Sequence, residues 1–251
     1  MTTQIRLSRP SRFSALKMFL TAVAMLLPTS LYADWNGGIK IPTDSVDIEG
    51  KTFYKIKTPE NLAWFASLVN RGNTNSNAIL ANDIVLTEDS VTTNATTWVP
   101  IGNVTGDSVG FMGIFDGNGY KISGLFVDSL YYAGGLFGVV SQGGVVKNLT
   151  VENAYIRGRR KGAARSGGVV GEFNGDSIVN CEFHGFVIDS LAGGIVGWSK
   201  RRLAKNELDV GHGAVIRDCR NFGGVSGYGY SGGIVGVASA TTILDSRNEG
   251  W

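Results

Sequence analysis

Gly134-Gly135-Leu136-Phe137-Gly138 (GGLFG), Gly167–Gly171 (GGVVG), Gly193–Gly197 (GGIVG) and Gly232–Gly236 (GGIVG) are four copies of one five-residue phrase. A looser copy, Met112-Gly113-Ile114-Phe115, precedes them. A phrase that returns at intervals of about 20–50 residues marks a chain of stacked repeats. Each repeat then buries its apolar face only against its neighbours. Gly is abundant, at 36 residues, and Pro scarce, at 5. The glycines punctuate runs of β-branched and aromatic residues, which excludes a collagen-like or disordered chain.

A second phrase follows each glycine phrase. Its first position is aliphatic: Ile122, Val146, Ile178, Ile216 and Ile243. Three residues on stand Leu125, Leu149, Cys181, Cys219 and Ser246; two further stand Val127, Val151, Phe183, Asn221 and Asn248. The first positions are spaced by 24, 32, 38 and 27 residues, so the longer intervals contain insertions. The pattern predicts an all-β fold, a right-handed parallel β-helix or solenoid whose coils stack about 4.8 Å apart. The aliphatic positions become interior columns, each buried side chain contributing about 1.5–3 kcal/mol. Gly124, Asn148, Asn180, Asp218 and Asp245 form a small-residue column suited to a corner, because Asn and Asp tolerate left-handed backbone. Inward stacking of the Asn side chains is the alternative.

Outward from the repeats, residues 34–102 read as an N-terminal capping region and 103–251 as the repeats. Trp98-Val99-Pro100-Ile101-Gly102 leads into them, after a polar loop at Thr87–Thr97. Asn77–Leu86 reads as a first strand and Thr52–Lys57 as a short strand. Between them Thr58 suits an N-cap, Pro59 the first helical position and Glu60 the positive end of the dipole. Leu62, Phe65, Ala66 and Val69 make one apolar face, and Gly72 ends the helix. This short capping helix closes the open first layer of the stack.

Residues 1–33 read as a secretory signal peptide. Arg6, Arg9, Arg12 and Lys17 form a basic start, Met18–Leu27 an apolar core, and Leu31-Tyr32-Ala33 a cleavage point. The apolar run is shorter than the roughly 20 residues a spanning helix needs. Secretion or surface display is expected, with no transmembrane span in the mature chain. Removing this segment takes 4 of the 23 basic residues and none of the 21 acidic ones, leaving a net charge of −2. A nucleic-acid partner is therefore not expected.

The glycine phrases, together with Ile114-Phe115-Asp116-Gly117-Asn118-Gly119-Tyr120-Lys121-Ile122-Ser123-Gly124-Leu125, resemble the repeats of GLUG-motif proteins. The helix around Ala63-Trp64-Phe65-Ala66 and the Trp98–Gly102 lead-in look like the usual approach to them. The resemblance runs from about Tyr54 to the end. It implies a secreted bacterial β-solenoid and is not specific for an activity. Such repeats accompany adhesin-like surface proteins and, as accessory regions, some immunoglobulin-degrading peptidases.

Chemistry is sparsely marked. A zinc peptidase needs two His one turn apart on a helix beside a Glu, and this chain has only His184 and His212, in neither case so placed. Gly211-His212-Gly213 matches a short phrase of polygalacturonases, without their clustered Asp residues or Arg-x-Lys phrase. Asp218 and Asp245 share a column, but two carboxylates serve a hydrolase only when they face one cleft. Asp116-Gly117-Asn118-Gly119 resembles half a calcium loop and reads as a tight turn without the remaining ligands. No catalytic residue, cofactor or metal site is expected. Cys181 and Cys219 share a column at a spacing that admits a disulfide, though in-register side chains aim their sulfurs poorly; a small apolar filler is the favoured reading.

Two basic insertions remain. One holds Arg157, Arg159, Arg160, Lys161 and Arg165, the other Lys200, Arg201, Arg202 and Lys205. Solvated loops are the bland reading; the functional one is contact with acidic polysaccharide or another envelope component. Trp198, Tyr228 and Tyr230 offer ring faces for sugars. The expected role is thus a non-catalytic surface protein for adhesion, carbohydrate contact or spacing, with a polysaccharide-cleaving enzyme as the rival. The chain stops at Asn248-Glu249-Gly250-Trp251 in mid-repeat, which predicts a further covering layer or self-association through the open end.

Overall fold

The computed structural model describes residues 34–88, 95–103, 110–129, 132–159, 164–200 and 214–251. Among these, 55% lie in strands and 6% in one helix, so the protein is an all-β fold. The expected signal segment lies outside the described residues. A short hairpin opens the fold, β1 (Ser45–Ile48) pairing antiparallel with β2 (Lys51–Ile56). The helix α1 (Pro59–Asn70) follows, with Thr58 as its N-cap accepting from the Asn61 N–H. Its buried face holds Leu62, Phe65, Ala66 and Val69, as the spacing predicts, together with Asn61 and Ala63. Phe65 packs against Phe111 and Phe115 with ring centroids 6.0 Å away. The single strand expected over Asn77–Leu86 is two, β3 (Asn77–Leu80) and β4 (Ile84–Val85).

From β2 onward every strand pairing is parallel. The next pass comprises β5 (Ile114–Asp116), β6 (Lys121–Ser123), β7 (Phe126–Ser129), β8 (Ala133–Gly134) and β9 (Phe137–Val140). It is followed by β10 (Val145–Gly158), β11 (Arg165–Gly167) and β12 (Val170–Phe173). Then come β13 (Ser177–Gly193) and β14 (Val196–Lys200). The last passes contain β15 (Ala214–Arg217), β16 (Arg220–Asn221), β17 (Gly224–Gly232), β18 (Val235–Ser239), β19 (Thr241–Leu244) and β20 (Arg247–Asn248). A second sheet runs in the order β18-β14-β12-β9.

Register lays the side chains in columns. Phe115, Val146, Ile178, Ile216 and Ile243 are successive partners. So are Ile84, Ile122, Val151, Phe183, Asn221 and Asn248. This corrects the expected alignment at one repeat: Ile122 belongs beside Val151, and Phe115 takes the place beside Val146. The cause is a tight turn at Gly117–Tyr120, where the Tyr120 N–H donates to the Gly117 carbonyl at 2.8 Å and Asn118 and Gly119 both have positive φ. That turn adds two residues between the columns, seven steps from Phe115 to Ile122 against five from Val146 to Val151.

Asn148, Asn180, Asp218 and Asp245 do form a left-handed corner, at φ of 54°, 52°, 55° and 46°. Gly124 does not share it. The Gly124 N–H donates to the Glu152 carbonyl, which sets Gly124 at the level of Asn153, itself at φ 48°, in the next corner. The glycine phrases carry the chain from the first sheet into the second. A Cβ on Gly193 would lie 1.8 Å from the Val196 carbonyl oxygen and one on Gly167 2.2 Å from that of Val170, so no larger residue fits these bends.

Candidate functional site

Two positions beyond the left-handed corner, side chains point outward between buried neighbours. Glu182 stands between Cys181 and Phe183, and Arg220 between Cys219 and Asn221, all four neighbours being buried. Glu182 and Arg220 are register partners, as are Arg220 and Arg247. Beside this row runs the corner row of Asn180, Asp218 and Asp245. Together the six line a groove of about 300 Å³, at the small end for a ligand site.

Along the corner, Asn180 donates to Asn148 Oδ1 and Asn148 to Asp116 Oδ1, both at 3.0 Å. The amide ladder therefore stacks on the outer corner. At Asp218 and Asp245 it gives way to carboxylates. Asp218 lies 3.3 Å from Arg217, and Glu182 lies 3.6 Å from Arg220 and 3.7 Å from His184. His184 is stacked on Phe222 at 4.5 Å and 11°. Among the described residues, Asp245 and Arg247 make no side-chain hydrogen bond or ion pair. The groove thus offers one open carboxylate, one open guanidinium and three engaged charges to a polar ligand.

The described residues of the two basic insertions have different surroundings. Arg157 is an exposed residue of β10, opposite Ile188. Arg159 is paired bidentately with Asp128. Arg165 faces inward: it is 6% exposed, pairs with Glu172, donates to the Tyr132 hydroxyl, and lies 3.4 Å above the Trp198 ring. Burial works against its charge and lowers its pKa, while Glu172 opposes the shift. Its Nε and the Asn174 Oδ1 are buried without a hydrogen-bond partner. Lys200 lies 5.1 Å from the same Trp198 ring. With Arg165 stacked on it, Trp198 is a packing residue more than an open face. Arg160, Lys161, Arg201, Arg202 and Lys205 lie outside the described residues, as does His212. Tyr228 and Tyr230 are exposed, at 74% and 67%.

Cys181 and Cys219 are buried free thiols in the interior column. Their sulfurs donate to main-chain carbonyls, Cys181 to Val179 at 3.5 Å and Cys219 to Arg217 at 3.3 Å. The Cys219 sulfur, then burial, pushes the Cys181 thiol well above its usual range, which makes it unreactive.

One more carboxylate is unusual. Asp189 is buried and accepts from the Ser166 hydroxyl and the Ser190 N–H, both at 2.6 Å. Burial raises its pKa against those two bonds. It sits beneath Gly158, where a Cβ would lie 2.1 Å from its Oδ2, and does not line the groove.

The sequence reading passed over an outward aromatic row, Phe126, Tyr155 and Phe186, which are successive register partners. Its signal was present: each ring directly precedes a column aliphatic, as Phe126-Val127, Tyr155-Ile156 and Phe186-Val187. Among the described residues no group of three or more His, Cys, Asp or Glu is placed to hold a metal ion, and no helix is long and apolar enough to cross a membrane. No family model matches this chain, and neither the curated proteins nor the solved structures compared with it contain a match.

Proposed function

We propose that this chain is a secreted or surface-displayed, non-catalytic repeat protein of the GLUG type, built as a right-handed parallel β-helix, that contacts acidic polysaccharide. The observation that carries the reading is the charged groove across successive parallel strands, where Arg220 and the open Arg247 stand in one row beside the carboxylates Glu182, Asp218 and Asp245, with Arg217 paired to Asp218. Guanidinium groups bind carboxylates through paired, directional hydrogen bonds, and two of them one strand spacing apart suit successive units of a linear acidic polymer.

The second reading is a polysaccharide-cleaving enzyme on the same scaffold. It draws on Asp218 and Asp245, stacked in adjacent passes on the groove wall, since a hydrolase uses two carboxylates about 5–9.5 Å apart. One experiment separates the two. The chain is incubated with alginate and polygalacturonate, and both retention of protein on the polymer and new reducing or unsaturated ends are measured. Retention without new ends, lost in an Arg220→Ala, Arg247→Ala double variant, is the expected result. Turnover abolished by Asp218→Asn would establish the enzyme instead.

A further inference from the structure

The exposed aromatic row does not end at Phe186. Its next register position is Gly224, which has no side chain to continue the row. Trp251 fills the gap. Its carbonyl accepts from the Val225 N–H at 2.9 Å, and its indole lies 3.1 Å from where a Gly224 Cβ would stand. The Phe186 and Trp251 ring centroids are 5.6 Å apart, and Phe126 and Tyr155 are stacked at 6.0 Å and 16°. Four rings thus run in file over five passes, with Gly224 in the fourth; Phe126 and Tyr155 are half-buried, Phe186 is 41% and Trp251 81% exposed.

One flank of this row is polar except at Ile188. Asp128, Arg157, Ile188 and Ser226 are the register partners alongside it. Asp128 is held by Arg159. Arg157 is exposed and makes no hydrogen bond or ion pair among the described residues. On the other side, across Gly185, stands the stacked His184–Phe222 pair that borders the groove.

We propose that this row is a second glycan subsite, a stacking platform for the pyranose rings of an acidic polysaccharide whose carboxylates meet Arg157. The inference rests on the reading of the groove as a polysaccharide contact and extends that contact onto the adjoining face. Pyranoses present an apolar C–H face and a polar rim, which match ring faces bordered by charged and hydroxyl groups. A lipid or apolar segment would leave Asp128, Arg157 and Arg159 desolvated and poorly matched. Single-stranded nucleic acid also stacks on aromatic rows, but it relies on a positive funnel, and residues 34–251 carry 19 basic against 21 acidic residues.

The test uses the exported chain with three probes: alginate oligosaccharides, neutral gluco-oligosaccharides of equal length, and oligothymidylate. Titration calorimetry gives affinities, and the part of the tryptophan emission that is lost in Trp251→Ala isolates Trp251 from Trp35, Trp64, Trp98 and Trp198. Alginate is expected to bind best and to shift the emission. Phe186→Ala and Trp251→Ala should each weaken alginate binding about tenfold, and Phe186→Tyr should restore it, with unchanged melting temperatures. Arg157→Gln should weaken alginate binding and leave that of the neutral oligosaccharide alone. Alginate binding undiminished in both alanine variants, yet lost with Arg220 and Arg247 replaced, would sink the platform and leave the groove. No glycan binding by the parent chain would overturn both, and tighter binding of oligothymidylate would replace the glycan with nucleic acid.

Discussion

Asn180 holds φ at 52° and gives its amide to Asn148, so one side chain satisfies both the backbone of the corner and the ladder beside it. An alanine there keeps the left-handed backbone, which costs a Cβ-bearing residue about 1–2 kcal/mol, and loses the amide. Asn180→Ala is expected to lower the unfolding free energy by about 1–2 kcal/mol in urea titrations, and Asn180→Gly by less, because Gly adopts that φ freely. Asp189 makes a different contribution. Its carboxyl is protonated more readily in the folded protein than in the unfolded chain, where its pKa is about 3.9. The folded state then binds the extra proton, so stability is greatest below that pKa and falls as pH rises toward the folded value. In a series of melting temperatures from about pH 4 upward, Asp189→Asn should flatten that decline. A variant whose melting temperature changes with pH as the parent's does would contradict the assignment. At the neighbouring thiols, the intact mass of the protein should be the same with and without reductant, since Cys181 and Cys219 are free.

Among the elements, α1 depends on tertiary contact more than on its own propensity. Twelve residues are marginal for an isolated helix in water, and its apolar face is held by Phe111 and Phe115. Phe65→Ala removes a fully buried ring and should cost about 3–5 kcal/mol. Thr58→Ala removes only the N-cap and should cost about 1 kcal/mol. If guanidinium titrations ranked these two the other way round, the helix would be held by its cap and not by the core.

The two ends of the stack differ at the scale of the whole molecule. At the first, β1 and α1 cover the early strands, and Phe65 and Leu62 are fully buried. At the other, β18, β19 and β20 each pair with one neighbour only among the described strands. The interior columns open there: Ile216 is fully buried, but its next partner Ile243 is 42% exposed, and Leu244 is 45% exposed. A side chain contributes in proportion to the area its neighbours cover, so Ile216→Ala is expected to cost about 2–5 kcal/mol in urea titrations and Ile243→Ala clearly less. Equal losses at the two positions would contradict it.

The sequence by itself determined the all-β class, the helix with its cap and buried face, and the left-handed corner at Asn148, Asn180, Asp218 and Asp245. These follow from local chemistry: side-chain alternation, a capping hydroxyl, and residues that accept positive φ. Only the tertiary structure decided register and surface. The two extra residues in the Gly117–Tyr120 turn moved Ile122 and Leu125 out of their expected columns, because column membership is set by backbone pairing between passes and not by spacing along one of them. Arg165 reads as a loop cation, yet a carboxylate seven residues away and two aromatic faces fold it inward. Asp218, Arg220, Asp245 and Arg247 are distant in sequence from Asn180 and Glu182, and the aromatic row spans Phe126 to Trp251. Parallel stacking alone brings such residues to one face.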